Sequence, residues 1–208
     1  MNPNLALEYA MERHQRRHGP LGYVDYKSYK PWLRDEFTFR CAYCLWRENW
    51  CADGDGSFGV DHVRPQASHS EQSCVYDNLV YACCRCNSVK QDRPLPMDPC
   101  DEGWGKHLQS LSDGTVGAIT PLGQRMIEVC RLNRPALVQA RSRILRLLNE
   151  LVANGSEDAR SLLSEYLGFP LTLPALSQLH PPGGNARPEG IETSYFEKRK
   201  RGELPPIY

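Results

Sequence analysis

Two pairs of cysteines, each with two residues between the partners, constrain this chain more than any other feature. The first pair is Cys41 and Cys44, and the second is Cys83 and Cys86. Each pair can place two thiolates on one tetrahedral zinc ion through a tight turn of the backbone. A pair of Cys84 and Cys86 is also conceivable, but two intervening residues suit such a turn better. We therefore predict a zinc site made of Cys41, Cys44, Cys83 and Cys86.

A zinc ion held by four thiolates has no open position for a water molecule, so the predicted site is structural and any catalysis lies elsewhere. The chain has nine cysteines. In a cytosolic protein they argue against a disulfide framework, because thiols there are kept reduced. The cysteines outside the two pairs show no metal-binding spacing, and we expect them to be small buried apolar groups.

Length and charge set the limits of the fold. With 208 residues, 40% of them hydrophobic, the chain can bury one good core and is expected to form one compact unit with extensions. It carries 25 basic and 25 acidic residues, so its overall field does not attract nucleic acid, and any such contact needs local patches or a partner. Neither a signal peptide nor an apolar stretch of roughly 20 residues is recognisable. We expect a soluble protein of the cytoplasm.

Hydrophobic spacing and turn signals predict the organisation of the first half of the chain. Residues 4–18 and 25–39 are predicted to be helical, which makes 1–37 a helical N-terminal extension. Residues 38–93 are dense in Cys, Gly, Asp and Asn and include a β-favouring piece at 58–63. Such a composition is typical of a small unit stapled by a metal rather than by a large apolar core.

The second half is predicted to be mostly helical. Within 94–168, an irregular connector with a short strand or turn around 115–119 precedes helices over 121–154, with a break, and over 156–167. Residues 169–208 form a tail rich in proline with a basic run, which is expected to be extended, packed on the body or disordered. The predicted fold class is α+β, mainly helical, with flanking helices around the stapled unit.

A set of polar residues between and after the cysteine pairs carries the chemistry. Asp61 and His62 lie within the β-favouring piece, Asn78 lies between the two cysteine pairs and is followed by Leu79, and Asn87 comes directly after the second cysteine of the second pair. With the two cysteine pairs, this pattern resembles the zinc-bearing HNH endonucleases over residues 38–93. The resemblance implies a ββα-metal unit of two strands and a helix, pinned by the zinc knuckles, that hydrolyses nucleic acid and by default DNA.

The resemblance also implies a role for each of these residues. His62 is the general base that takes a proton from the attacking water, a role suited to imidazole. Asp61 and Asn87 supply oxygen ligands to a catalytic Mg²⁺ or Mn²⁺, and Asn78 supports the loop and orients the base. Asp61 and His62 are neighbours on a strand and point to opposite sides, so use of one face by both needs a local distortion.

Three basic residues near the motif are candidates for contacts with phosphate. They are Arg64, Arg85 and Lys90, for which a solvated surface position is an equally weighted alternative. A second function class also stays open, in which the chain is a non-catalytic zinc module that binds nucleic acid or protein. Loss of activity on substitution of His62 would separate an endonuclease from such a module.

The sequence after the stapled unit carries a weaker resemblance. Asp98, Asp113 with Gly114, and Leu132 with Asn133 are placed in a way that is similar to the HNH nucleases of Septu-type phage-defence pairs. That subgroup works beside a partner ATPase, which would explain the balanced charge of this chain. A stand-alone nuclease of the restriction or mobile-element kind is the alternative.

Overall fold

Short strands and helices alternate along the chain, and the structure, a computed structural model, describes residues 6–208. The helices and strands, in chain order, are α1 (Lys30–Glu36), β1 (Phe58–His62), β2 (Leu79–Cys83), α2 (Cys84–Lys90), β3 (Leu108–Ser110), β4 (Val116–Ala118), α3 (Pro121–Cys130), α4 (Pro135–Asn154), α5 (Glu157–Leu167), α6 (Glu189–Glu192) and α7 (Tyr195–Lys200). The strands form two antiparallel pairs, β1 with β2 and β3 with β4. The fold is thus mixed α and β, with more residues in helices than in strands.

The segment before α1 is irregular, so the helix predicted for residues 4–18 is wrong over 6–18, and residues 4 and 5 lie outside the described part. A short 3₁₀ turn at residues 6 and 7 is followed by irregular chain. The backbone bonds to distant segments: the Ala10 carbonyl accepts from the Gly105 N–H, and the His14 N–H donates to the Pro99 carbonyl, both at 2.8 Å. These tertiary bonds replace the repeating pattern of a helix.

The predicted helix over 25–39 is shorter than expected. A 3₁₀ turn at Tyr26–Tyr29 leads into α1, which ends at Glu36. Thr38 and Phe39 then adopt left-handed backbone angles, with φ of 53° and 54°. Two successive residues in this region turn the chain sharply, and they direct it into the first cysteine pair.

One hydrophobic core runs through all four predicted parts of the chain. It includes Trp32 of α1, Tyr81 of β2, Met126 of α3 and Leu176 of the tail. All four side chains are fully buried. The predicted boundaries after residues 37, 93 and 168 therefore lie within one packed body.

The helices of the second half agree with the sequence, since α3 and α4 lie within 121–154 and α5 within 156–167. The strand predicted near 115–119 is β4, but its partner β3 was not predicted.

Arg141 is buried, and its Nη1 donates to the carbonyls of Leu132 at 2.8 Å and Gly114 at 3.4 Å. This arginine therefore ties the β3–β4 hairpin to α4.

Within residues 6–208, no helix combines the length and apolar character that crossing a membrane requires.

The proline-rich tail packs on the body and contains α6 and α7, which were not predicted. The Tyr195 N–H donates to Oδ2 of Asp35 in α1 at 2.8 Å, and Nη1 of Arg187 donates to the His18 carbonyl at 2.8 Å. Of the three alternatives left open by its composition, the structure shows the packed one.

A buried carboxylate, Glu36, joins the irregular N-terminal segment to the core. Its Oε1 is 3.0 Å from Nε2 of His14 and accepts from the Arg17 N–H at 2.9 Å. Its Oε2 accepts from the His18 N–H at 3.0 Å and from the Tyr76 hydroxyl at 3.1 Å. Burial alone would raise the pKa of Glu36, but the hydrogen bonds from His14 and Arg17 outweigh it and lower this pKa from 4.5 to about 2.

We expect this carboxylate to make stability depend on acidity. Its folded pKa is depressed, so its contribution is complete above pH 4.5 and is lost as the pH falls towards 2. Glu36→Gln should lower the free energy of unfolding at neutral pH by about 3 kcal/mol and flatten its decline in acid. Denaturant unfolding across this pH range measures both effects. Glu150→Gln, on the exposed side of α4, is the control, and equal pH profiles for the two variants would contradict this account.

Candidate functional site

The residues of the motif lie in one ββα unit. β1 and β2 pair in antiparallel register, with His62 opposite Leu79 at one end and Phe58 opposite Cys83 at the other. Cys83 is also the N-cap of α2, so the helix starts where β2 stops. The Val63 N–H donates to the Asn78 carbonyl at 2.9 Å and extends the pairing beyond β1. The strand β1 is thereby held beside β2 and beside the helix that directly follows β2.

The four cysteines of the predicted zinc site meet at the end of this unit. The Sγ atoms of Cys41, Cys44, Cys83 and Cys86 all lie within 4.8 Å of one another, and all four residues are buried. Cys44 and Cys83 have their sulfurs 3.9 Å apart, which compares with about 3.8 Å for two thiolates bound tetrahedrally to zinc at 2.3 Å. The donor set and its spacing therefore fit zinc. Cys84 is exposed and outside the cluster, as the spacing argument predicted.

Crowding of the four thiols shows why a cation suits this place. Burial and then the neighbouring thiols raise the pKa of Cys41 well above its ordinary value, whereas hydrogen bonds from Cys41 and Cys44 lower the pKa of Cys86. Nη2 of Arg134 lies 3.3 Å from Sγ of Cys86, so a guanidinium contacts one of the four sulfurs. Four thiolates need a divalent ion as well. Arg134 was not predicted, because no sequence spacing links it to the cysteines.

Removal of one zinc ligand tests the staple. We expect Cys44→Ser to lose zinc and to melt the ββα unit, because structural zinc supplies folding free energy directly. The matched control is Cys84→Ser, which changes the exposed neighbour of the cluster. Zinc content by elemental analysis and thermal unfolding by circular dichroism give the two readouts. A Cys44→Ser protein with full zinc content and unchanged melting would refute the site.

Asp61 points into the protein from β1. Its Oδ2 accepts from the Tyr43 hydroxyl at 2.7 Å, and its Oδ1 accepts from the His62 N–H at 2.8 Å. The ammonium of Lys90, at the end of α2, is 3.3 Å from Oδ1. Asp61 is 5% exposed and Lys90 is fully buried, so this is an internal ion pair. The sequence offered Lys90 as a candidate phosphate contact. In the structure its ammonium is buried against Asp61 and does not reach the surface.

We expect the fold to depend on this ion pair. Lys90→Met leaves the carboxylate of Asp61 buried without its cation, which typically costs about 3–5 kcal/mol. Lys106→Met, which breaks an exposed pair with Glu102, should change stability little. Adding Asp61→Asn to Lys90→Met should recover part of the loss, because the uncompensated charge is gone. Chemical unfolding of the variants measures the difference, and equal stability of Lys90→Met and Lys106→Met would exclude a stabilising role.

His62 points to the other side of β1. Its Nε2 lies 3.0 Å from the carbonyl oxygen of Ser73, and its ring meets the ring of Tyr26 edge-on, with centroids 4.8 Å apart. A carbonyl oxygen can only accept, so Nε2 carries the hydrogen in this bond and Nδ1 is the basic nitrogen. Neither Ser73 nor Tyr26 was predicted, because they come from separate loops without any spacing signal.

The two asparagines of the motif have different surroundings. Asn78 is buried and clamps the loop after β1: its Oδ1 accepts from the Arg64 N–H at 2.8 Å, and its Nδ2 donates to the carbonyls of Arg64 at 3.1 Å and Gln72 at 3.2 Å. Asn87 lies on α2, where its Nδ2 donates to the Val60 carbonyl at 3.2 Å. That bond brings α2 against β1 next to Asp61 and leaves the Asn87 side-chain oxygen for another partner.

Arg64 and Arg85 both lie at the surface. Arg64 follows the strand that carries His62, and its Nη1 is 3.4 Å from Oε1 of Gln72. Arg85 is in the first turn of α2, on the zinc side of the unit. The two arginines thus flank the motif from opposite ends of the sheet, a placement from which each can reach an external ligand.

Comparison with known proteins agrees with this arrangement over one part of the chain. No curated protein matches it. Residues 41–93, which run from the first zinc cysteine to just beyond α2, match the family model described as HNH endonuclease. The matched segment contains the four clustered cysteines and the two strands and helix that hold Asp61, His62, Asn78 and Asn87. Residues 41–93 are therefore similar to HNH endonucleases, and this similarity supports nuclease activity in general.

Proposed function

We propose that this protein is a metal-dependent endonuclease that hydrolyses phosphodiester bonds of DNA. The observation that carries the proposal is the meeting of the motif residues in one ββα unit. His62 ends β1, Asn78 clamps the loop beside it, and Asn87 of α2 bonds to the backbone of the same strand. Residues from three segments thereby meet at β1 and the loop that follows it, and polar groups that converge from several segments are what a hydrolytic centre needs.

His62 is the proposed general base. Its Nε2 hydrogen is held by the Ser73 carbonyl, which fixes the ring and leaves Nδ1 to take a proton from an attacking water. Asn78 is a positioning residue, because it bonds to Arg64 and Gln72 at the two ends of the loop that presents Ser73. Loss of Asn78 would release the carbonyl that orients the base.

Asp61 and Asn87 are the proposed ligands of a catalytic Mg²⁺ or Mn²⁺. A carboxylate and an amide oxygen are donors that suit such hard ions, and among the described residues the Asn87 side-chain oxygen accepts no hydrogen bond. Such an ion would stabilise negative charge on the scissile phosphate and the leaving oxygen. The ammonium of Lys90 lies 3.3 Å from Oδ1 of Asp61, so this carboxylate is held in place on its side of β1.

The basic residues around the centre have proposed roles of two kinds. Arg64 and Arg85 are exposed and are proposed to contact phosphates of the substrate. Lys90 acts from the interior, because its buried ammonium lies against Asp61 and is fully covered. Lys90 is therefore proposed to position Asp61, and not to contact the substrate itself.

A role in phage defence or restriction with a partner, such as an ATPase, is the finer part of the proposal. Its support is the resemblance after residue 94, where Gly114, Leu132 and Arg141 form a structural tie between the β3–β4 hairpin and α4. These hydrogen bonds lie in the same packed core as the ββα unit. Cleavage that requires a co-expressed ATPase would support the partner, and efficient cleavage by the purified chain alone would favour a stand-alone nuclease.

Plasmid cleavage tests the endonuclease proposal directly. Supercoiled DNA incubated with the protein and Mg²⁺ or Mn²⁺ should be nicked or linearised, and EDTA should stop the reaction. We expect His62→Ala to lower the rate by about 10²–10⁴-fold, because general base catalysis is lost. His69→Ala, in the same loop region but bonded to Ser68, is the control. Binding of DNA without cleavage, unaffected by either substitution, would favour the non-catalytic zinc module.

A further inference from the structure

A groove of about 860 Å³ lies beside the zinc cluster, away from His62. It is lined by the zinc ligands Cys44 and Cys83, by the start of α2 and by the loop between α3 and α4. Three arginines line it, Arg85 from α2 and Arg131 and Arg134 from that loop. The function proposed above uses Arg85 alone among them.

Two of the groove's arginines, Arg85 and Arg131, carry charges that no acidic side chain of the described residues neutralises. Among residues 6–208, Arg85, Arg131 and Arg134 have no carboxylate within 4.0 Å. Arg85 and Arg131 are exposed. Asp53 also lines the groove, and Arg134 is engaged by the Cys86 sulfur, so the exposed guanidiniums of Arg85 and Arg131 are the groups that a phosphate-bearing ligand can contact.

One of the three arginines, Arg134, links the loop between α3 and α4 to the cysteine cluster. Nη2 of Arg134 lies 3.3 Å from Sγ of Cys86, and its Nη1 donates to the Arg131 carbonyl at 3.3 Å. Arg131 itself caps α3 in a left-handed conformation, with φ of 47°. The Arg134 side chain therefore fixes the backbone of Arg131 next to the cysteine cluster, and the Arg131 side chain extends from this fixed backbone to the surface.

The groove has apolar walls as well. Trp46, Pro135 and Leu137 line it together with the arginines, and Trp46 is half-buried and packed edge-on against Trp50. A lining that combines positive charge with apolar surface suits a sugar-phosphate chain, in which phosphates alternate with apolar sugar faces and bases.

The position of the groove relates it to the hydrolytic centre. It adjoins the end of the sheet where Phe58 faces Cys83, and His62 is at the other end. A strand of this length spans about 13 Å between these ends. Helix α2 connects the two places, since it begins at the groove and ends with Lys90 at Asp61.

We propose that this groove binds the phosphodiester backbone of the DNA substrate on one side of the bond that is cleaved. The inference rests on the proposed endonuclease function and specifies where its substrate lies. Because the groove and His62 lie at opposite ends of β1, the phosphates bound in the groove are not those of the scissile bond. Arg85 and Arg131 bind these phosphates, and Trp46 packs against the deoxyribose side.

The test measures DNA binding by the full-length zinc-loaded protein in the His62→Ala background, where no cleavage interferes. A short fluorescein-labelled DNA duplex is titrated at several salt concentrations and followed by anisotropy. Arg85→Ala with Arg131→Ala should weaken binding about tenfold at low salt and lower the log–log salt slope by about 0.9 for each phosphate that is no longer bound. Arg134 is left intact in this test, because it touches a zinc ligand.

The control is Arg160→Ala, an exposed arginine on α5 outside the groove. A loss of affinity confined to the groove variant, with unchanged zinc content and melting temperature, supports the inference. Equal binding by the groove variant and Arg160→Ala, an equal weakening in both, or no binding by the His62→Ala protein overturns it. Plasmid cleavage by the wild-type protein is scored separately, so failure of the groove is distinguishable from failure of the nuclease.

Discussion

The cluster of four thiols is the constraint from which the rest of the site follows. It joins Cys41 and Cys44, which come before β1, to Cys83 and Cys86 at the junction of β2 and α2. Tyr43 lies inside the first pair and donates to Asp61, so the turn that holds zinc also positions a catalytic candidate. The two strands of the ββα unit, five residues each, are packed into the main hydrophobic core, and the thiol cluster fixes the loop before β1 to the junction of β2 and α2.

Local signals in the sequence predicted the parts of the site that depend on spacing. The cysteine set, the strand at Phe58–His62 and the helices of the second half each follow from a short pattern of residues. The Asp61 contacts with Tyr43 and Lys90 could not be predicted, because they join residues far apart in sequence through burial. The same reason explains the error at residues 6–18, where distant partners take the backbone hydrogen bonds and override the helical pattern.

Two buried carboxylates show how this fold accommodates charge. Glu36 is surrounded by donors from the N-terminal segment and from the residues before β2, and Asp61 by a tyrosine hydroxyl, a backbone N–H and an ammonium. Each acid gathers donors from different segments, so each also fixes how those segments meet. At Asp61 this has a consequence for chemistry, because strand alternation turns the carboxylate inwards while His62 faces Ser73 and Tyr26. The charge is held on one side of β1 and the proposed base on the other, and Asn87 reaches the strand between them.

A balanced net charge does not prevent a protein from binding a polyanion when the charges are distributed unequally. In this chain several acids are engaged internally: Asp35 pairs with Arg17 and His18, and Glu48 pairs with Arg34. The arginines around α2 have no such partners among the described residues, and Arg134 is turned towards the thiolates of the zinc cluster. The exposed Arg85 and Arg131 therefore leave unpaired positive charge near the start of the helix that leads to Asp61. A field of this kind acts over about 8–10 Å at physiological salt, so it favours contact with DNA close to the site and adds little attraction at longer range.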